Sequence, residues 1–179
     1  MSNSLKGVLI DHRPLQLINQ TAGASGFRHE VGGILLGSYR GDHLHIVDIT
    51  TPQRLDRWSP VRFWRSPAGH QELADTAWRR SGGTVTYMCE WHSHAEPIPR
   101  PSVIDRASWR STVRAQCRPL LFFIQGTDQT WLSLASGLGE FRRVALIDED
   151  AEGFFFGPLN SREPPPSPVG ARSQSTWLR

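Results

Sequence analysis

Cysteine is scarce in this chain of 179 residues, which has only Cys89 and Cys117, and long apolar runs are absent. Two cysteines do not make a disulfide framework, which favours a reducing compartment. Residues 1–9 lack the apolar core of a signal peptide. No run approaches the roughly eighteen apolar residues of a membrane span. We therefore expect a cytoplasmic protein that does not enter a membrane.

The chain also lacks a strong charge of either sign. Its net charge is +3 and its pI about 9.4, with 38% hydrophobic and 21% charged residues. This balance is ordinary for a globular protein. It permits an acidic partner but does not demand nucleic acid. A Pro-Cys-x-x-Cys motif is absent as well, which excludes a zinc nucleotide deaminase.

The composition changes toward the end of the chain. Residues 160–179 are rich in Pro, Ser and Arg and include three consecutive prolines, Pro164–Pro166. Such composition is typical of segments without a packed core. The length fits a single domain with its own hydrophobic core. We predict a domain over residues 1–159 and a disordered tail over residues 160–179.

The residues that carry chemistry lie between positions 91 and 105. The pattern is His92-x-His94, then Ser102, then Asp105. Side chains two apart on a strand share a face, so both imidazoles can reach one ion. Asp105 falls in the first turn of a predicted helix, close to where the strand ends. Two imidazoles and one carboxylate leave an open position on a tetrahedral zinc, as catalytic sites do.

Ser102 and Asp105 have a second interpretation as an ordinary helix start. Ser102 would be the N-cap and Asp105 the acidic residue at the third helical position. The two interpretations are compatible, because a capping serine can still face the site.

This pattern resembles the signature of the JAB/MPN-type zinc metalloproteases, the JAMM family. That family also has an upstream glutamate at the start of an apolar strand with a Gly pair, matched here by Glu30 before Gly32 and Gly33. The resemblance spans about residues 5–146. Two positions differ from many members, because Ala95 follows the second histidine and Cys89-Glu90 replaces an upstream glycine.

The resemblance implies an α/β (α+β) fold, a mostly antiparallel sheet flanked by helices with cytidine-deaminase-like layering. It also implies that His92, His94 and Asp105 bind Zn²⁺, that Glu30 is the general base and that Ser102 stabilises the oxyanion. The expected reaction is hydrolysis of an isopeptide or peptide bond after the C-terminal tail of a ubiquitin-like or conjugated protein. We expect that tail to pair with a sheet edge beside the metal.

Small bacterial JAB deconjugases are similar to this chain in size and motif. Some are encoded with E1-like and E2-like enzymes in CBASS anti-phage operons, so these enzymes are expected partners. One alternative is the DNA-associated RadC-like branch, although residues 95–100 lack its Pro-Ser-Gly run. Another is a non-catalytic MPN scaffold, against which the presence of all five polar residues argues.

Three other features remain open at this stage. The second His-x-His, His43-Leu44-His45, has no Ser or Asp at the family spacing and indicates a polar strand face. Residues 50–66 alternate basic and aromatic residues, which can bind nucleic acid or peptide, but loop packing is favoured. Arginines recur every fourth residue from Arg106 to Arg118. They predict a basic stripe that is either solvated or the rim for an acidic partner.

The coarse pattern of periodicity and turn residues also predicts the order of the elements. Predicted strands cover residues 5–10, 30–39, 43–49, 83–91, 119–125, 130–136 and 140–146, and predicted helices cover residues 12–25, 67–81 and 102–117.

Overall fold

The computed structural model describes residues 5–158, which contain three helices and ten strands. The predicted tail, residues 160–179, lies outside the described residues. The elements in chain order are β1 Gly7–Asp11, α1 His12–Ala24, β2 Gly32–Arg40, β3 His43–Ile49, β4 Arg57–Ser59, β5 Arg62–Trp64, α2 Pro67–Arg80, β6 Thr86–Ser93, α3 Val103–Gln116, β7 Leu120–Gln125, β8 Thr130–Ala135, β9 Phe141–Glu149 and β10 Gly153–Pro158.

Eight of the strands form one sheet in the order β1-β10-β9-β8-β7-β6-β2-β3, and β3 pairs back to β1. The pairs β1/β3 and β6/β7 are parallel, and the others are antiparallel. The predicted mixed fold with a mostly antiparallel sheet is confirmed. Because the pairing closes on itself, this sheet has no free edge within residues 5–158. The expected pairing of a substrate tail with a sheet edge beside the metal stays a prediction, and the separate two-stranded sheet β4–β5 is where such an edge exists.

Two apolar clusters hold α1 and α3 to the sheet. Ile18 and Ala22 of α1 are fully buried in the first cluster, which draws on strands all around the ring. Trp109 and Val113 of α3 are buried in the second cluster, against Phe122 of β7 and its neighbours. These pairs are spaced four residues apart, so each helix buries one stripe. The second cluster fixes α3 beside the end of β6.

A bulge in β6 changes the expected alternation of its side chains. The pairing of β2 with β6 shifts between Leu35 and Leu36, and Cys89 has a φ of 131°. Cys89 therefore packs in the second cluster with Trp109, whereas Trp91 packs in the first. Strict alternation counted from His92 would place Cys89 on the opposite face of the strand, but Cys89 is buried on the α3 side. Strict alternation fails because a bulge inserts one unpaired residue.

The segment between β3 and α2 is more regular than its sequence indicates. Residues 57–64 form the hairpin β4–β5, where an irregular loop was predicted. The aromatic residues do not all pack the segment down, since Trp58 and Trp64 remain 51% and 43% exposed. Polar contacts of Asp56 with the residues that flank the hairpin hold it instead.

The remaining boundaries differ little from the predictions, with two exceptions. The final strand β10 was not predicted, yet it pairs with both β1 and β9. Helix α3 ends at Gln116 because Cys117 adopts a left-handed conformation with φ 49°. Arg118 consequently leaves the basic stripe and donates to the Tyr87 carbonyl.

No helix within residues 5–158 is long and apolar enough to cross a membrane.

Candidate metal centre

The two histidines of the central motif lie at the end of β6, and both are buried. Their Nε2 atoms are 3.1 Å apart. Two ligand atoms bound to one tetrahedral zinc at 2.0–2.1 Å lie about 3.3 Å apart. His92 and His94 are thus spaced and oriented as a pair of ligands to a single ion.

Asp105 approaches both imidazoles from the first turn of α3. Its two carboxylate oxygens lie 3.5 Å from His92 Nε2 and 3.5 Å from His94 Nε2. A capping box fixes this position, because the Ser102 amide donates to Asp105 Oδ2 at 2.6 Å and the Asp105 amide donates to Ser102 Oγ at 3.1 Å. The predicted helix start is confirmed. The same cap that begins the helix aims the carboxylate at the histidines.

Glu30 enters the site from the segment just before β2. Its Oε1 lies 3.6 Å from His94 Nε2, and its side chain is 12% exposed. Within residues 5–158, Glu30, His92 and His94 form the one group of three side chains whose ligand atoms all lie within 4.8 Å of one another. Two carboxylates therefore compete for the third ligand position. Asp105 approaches both histidines and Glu30 approaches one, so we favour Asp105.

The two carboxyl groups differ in their affinity for a proton. Burial raises the pKa of Glu30, and the nearby histidines only partly offset this effect. Burial acts in the same direction on Asp105, but hydrogen bonds with His92 and His94 outweigh it and lower its pKa. Asp105 thus stays ionised, as a ligand must, while Glu30 holds a proton more readily, as suits a group that takes and returns one.

The His94 imidazole lies between these two carboxylates. Burial by itself would lower its pKa, but Asp105 and then Glu30 outweigh burial and raise it. The negative charge of the site therefore favours a cation at this position, whether a proton or a metal ion.

Ser102 lies at the rim of the same cavity as Glu30, His92 and Asp105, which has a volume of about 280 Å³. Its oxygen accepts from the Asp105 amide, which leaves the hydroxyl hydrogen free to donate. The predicted catalytic residues Glu30 and Ser102 and the predicted ligands His92, His94 and Asp105 are therefore brought together in the structure. Their roles remain a proposal.

Ser93, the residue between the two histidines, connects the two halves of the site. Its amide donates to the Val31 carbonyl, and its hydroxyl oxygen accepts from the Val31 amide at 3.0 Å. Val31 follows Glu30 directly, so these bonds fix the base relative to the ligands. The His94 amide is held by the Gln125 carbonyl at 2.8 Å. No local sequence pattern marks Ser93 or Gln125, because their contacts join segments that are distant in the chain.

Gly33 allows this close assembly. A Cβ atom there would lie 1.9 Å from the carbonyl oxygen of Thr50, so any side chain would force the strands apart. At Gly33, the second glycine of the Gly32–Gly33 pair, close packing against Thr50 thus explains why a glycine is needed.

A buried polar network supports the hairpin that covers the site. His70 Nε2 contacts Asp56 Oδ2 at 2.9 Å, and His70 Nδ1 contacts Thr50 Oγ1 at 2.5 Å. The Asp56 carboxylate also accepts from the amides of Gln53 and Ser66. The Asp56 and His70 side chains are 0% and 1% exposed. The sequence gives no signal for this network, since its members are spread over separate segments and form no motif.

The hairpin contacts Glu30 directly. The Glu30 amide donates to the Ser59 carbonyl at 3.1 Å, and the Phe63 backbone hydrogen-bonds the Glu30 side chain. Residues 61–65 form one wall of the site cavity. The segment is therefore part of the site, whereas packing of the loop was the favoured prediction.

Other candidate residues lie outside the centre. In the second His-x-His motif, His45 pairs with Asp11 at 2.6 Å and His43 lies 3.6 Å from Asp42. No metal-binding group of three includes either histidine within residues 5–158, which agrees with a polar strand face. Glu90 lines the site cavity with its Oε2 4.0 Å from Arg65 Nε. Within residues 5–158 the Glu90 side chain makes no hydrogen bond with His92 or His94, so it does not orient either imidazole.

Comparisons with known proteins agree with this geometry. Residues 15–137, more than half of the chain, match the family described as prokaryotic homologs of the JAB domain. A protein of Pseudomonas aeruginosa named CD-NTase/cGAS isopeptidase is 38% identical over 128 residues, which cover 70% of this chain and 81% of that protein. A Vibrio cholerae protein of the same name is 39% identical over 103 residues, 58% of this chain and 65% of that protein.

A solution structure of protein DSY2949 from Desulfitobacterium hafniense shares the fold, with a TM-score of 0.58 and 22% identity over 80% of this chain and 95% of that one. The family match covers both histidines of the motif, its serine and its aspartate, together with the upstream glutamate. The chain belongs to the family of prokaryotic JAB-domain proteins.

Proposed function

We propose that the protein is a zinc-dependent isopeptidase that cleaves the amide bond joining the C-terminal tail of a conjugated protein to its target. The observation that carries this proposal is the convergence of Glu30, His92, His94 and Asp105 in one buried cluster that opens to a cavity. Relatives that are 38% and 39% identical are named isopeptidases of CD-NTases. We extend that substrate class, a CD-NTase-type enzyme, to this chain.

The residues fit a zinc ion by number, type and spacing. His92, His94 and Asp105 would hold it, leaving one position open. When bound, zinc supplies Lewis-acid activation of water and of the amide carbonyl. The two buried imidazoles and one carboxylate suit zinc better than magnesium or calcium, which prefer oxygen ligands alone.

The chain's own residues handle the proton and the developing charge. Glu30 accepts a proton from the attacking water, whose oxygen adds to the carbonyl carbon. Glu30 then donates that proton to the leaving amine as the C–N bond breaks. The Ser102 hydroxyl donates a hydrogen bond to the carbonyl oxygen as negative charge develops on it. The raised pKa of Glu30 supports this double role.

The hairpin offers the site for an extended tail. The main sheet has no free edge within residues 5–158, whereas β4–β5 is a separate two-stranded sheet, and β5 forms part of the cavity wall. Pairing with β5 would bring a tail past Glu30 with main-chain hydrogen bonds. In this scheme the E1-like and E2-like enzymes of a conjugation system would supply the conjugate.

The test is cleavage of a CD-NTase-type protein whose C-terminus is fused through a peptide bond to an inert reporter. Wild type is expected to cut at the junction, and both Glu30→Gln and chelator-treated wild type are expected to leave the fusion intact. An uncut fusion with metal-loaded wild type would contradict the proposal. The RadC-like alternative would gain support if the protein instead bound DNA tightly without a metal; the names of the relatives do not favour it.

A further inference from the structure

A second cavity lies between α3 and strands β8 and β9, and Trp109 lines it. Its volume is about 160 Å³, and its lining includes Trp109, Trp131 and Phe141 together with Arg106 and Arg110. Nothing in the proposed chemistry uses these residues. We infer that this arginine-rimmed aromatic cavity is a docking site for an acidic segment of the protein substrate, which inserts one large apolar side chain.

The floor of the cavity is built from packed aromatic rings. Trp109 stacks on Trp131 with ring centroids 5.4 Å apart, and it contacts Phe122 at 4.6 Å. Phe141 packs against Phe122 at 5.6 Å and is itself 38% exposed. An apolar cavity of about 150 Å³ in another protein accommodates a benzene molecule. The cavity here thus has room for one Phe-sized or Leu-sized side chain.

The rim of the cavity is positively charged. Arg106 and Arg110 lie one turn apart on α3 and line the cavity. Arg143 of β9 is paired with Ser133, which also lines the cavity, so the strand register places Arg143 on the same face. All three arginines are exposed.

These arginines have no acidic partner in the described chain. Of the ion pairs within residues 5–158, none includes Arg106, Arg110 or Arg143. Three guanidinium groups around an apolar cavity therefore select a ligand that carries carboxylates on both sides of an apolar side chain.

The cavity is adjacent to the catalytic site. Pro101 lines the docking cavity, and the next residue, Ser102, lines the metal cavity. The rings of Trp109 and His92 lie 6.2 Å apart. A segment seated on Trp131 is therefore within a few residues of the scissile bond, so its binding would add directly to substrate affinity.

A protein ligand fits this surface better than nucleic acid. Non-specific binders of single-stranded nucleic acid present aromatic faces along a groove as stacking platforms. Here Trp109 is buried and one face of Trp131 is occupied by it. The opening is a walled cavity for one side chain, which favours a peptide.

This inference rests on the proposed function, because it takes the conjugated protein as the ligand. Its test is a binding measurement that needs no cleavage, made on the full chain carrying Glu30→Gln. The probe is a fluorescein-labelled acidic peptide with one Phe between runs of Asp and Glu. A peptide with Ser in place of that Phe and an oligothymidine of equal charge serve as comparisons.

The variant is Arg110→Glu with Arg143→Glu, and the matched control is Arg79→Glu with Arg80→Glu, two exposed arginines in the last turn of α2. We expect the double variant to weaken binding of the Phe peptide at least tenfold and the control to change it less than twofold. The Ser peptide is expected to bind at least fivefold more weakly. Thermal unfolding of each variant verifies that it is folded.

Two results would overturn the inference. One is that the Phe peptide does not bind, or that it binds equally well to the Arg110→Glu, Arg143→Glu variant. The other is tighter binding of the oligothymidine, lost in the same variant, which would assign the surface to nucleic acid. Failure of the fusion to be cleaved, by contrast, would contradict the proposed isopeptidase activity and leave this binding result intact.

Discussion

The two carboxylates of the metal centre differ in what holds them in place. Asp105 is fixed by the N-cap of α3 and lies 3.5 Å from both histidines. Glu30 is fixed by the hairpin and lies 3.6 Å from His94 alone. At the scale of single residues this difference supports the proposed roles of Asp105 as ligand and Glu30 as base, and isosteric amides can test it.

We predict that Asp105→Asn loses bound zinc, whereas Glu30→Gln retains it and loses hydrolysis. A general base contributes about a hundred- to ten-thousand-fold in rate, so kcat of Glu30→Gln should fall by that factor. The measurements are zinc content per chain by atomic emission and kcat on the fusion substrate. If Glu30→Gln lost zinc while Asp105→Asn kept it, the two roles would be exchanged.

Ser93 gives a second prediction at this scale. Replacement by Ala removes the acceptor for the buried Val31 amide, and an unsatisfied buried group costs about 1–3 kcal/mol. We expect Ser93→Ala to lower the free energy of unfolding by that amount and to reduce kcat, because Glu30 directly precedes Val31 in the chain. Urea denaturation and kinetics measure both effects.

The control for this change is Ser111→Ala, an exposed serine on α3, which should alter stability by less than about 0.5 kcal/mol. Equal stability of Ser93→Ala and wild type would show that the Val31 amide finds another partner.

The five residues that the structure brings together at the site could be named from the sequence, because four belong to local patterns and the fifth to the family resemblance. His92 and His94 follow from strand alternation, Ser102 and Asp105 from a helix cap, and Glu30 from the resemblance. Ser93, by contrast, acts through a contact 62 residues away. Periodicity in one sequence carries no signal for such long-range pairs, so the residues that position the site were found only in the structure.

At the scale of elements, the same reasoning predicted the long strands and helices and missed the short ones. The three-residue strands β4 and β5 are too short for a period. The bulge at Cys89 shifts the register with no Gly or Pro to mark it. Strand β10 contains two glycines and a proline, which are depleted from strands. Its pairing with β1 and β9 overrides that propensity.

The hairpin depends on the buried Asp56–His70 pair, and this dependence is a third prediction. Asp56→Ala would leave His70 and the amides of Gln53 and Ser66 without their acceptor. Breaking a buried pair on one side costs about 3–5 kcal/mol. We expect a loss of that size in the free energy of unfolding, together with faster proteolysis between residues 51 and 66.

Asp75→Ala is the matched control, since Asp75 is an exposed residue whose carboxylate accepts one hydrogen bond from Gln71. It should change stability by less than about 0.5 kcal/mol. An Asp56→Ala protein with the stability and proteolytic pattern of wild type would mean that the network does not hold the hairpin.

At the scale of the whole molecule, the proposed metal ligands lie on a framework that closes without their side chains. The ring of eight strands and the two apolar clusters involve no ligand side chain. His92 and His94 are held by β6 and its backbone contacts, and Asp105 by the N-cap of α3. The fold should therefore survive loss of the metal, unlike small zinc domains that are unfolded without it.

We predict that removal of the metal lowers Tm without unfolding the protein. A ligand that binds only the folded state stabilises it by about 2.7 kcal/mol at a free concentration of about 100 Kd. For a chain of this size that corresponds to a Tm shift of roughly 5–10 °C. Chelated wild type should keep its far-UV circular dichroism, and added zinc should restore both Tm and about one equivalent of bound metal.

His94→Ala should show neither response, because one of its ligands is gone. A chelated protein without secondary structure at 25 °C would show that the metal is needed for folding, and an identical zinc-induced shift in His94→Ala would place the ion elsewhere.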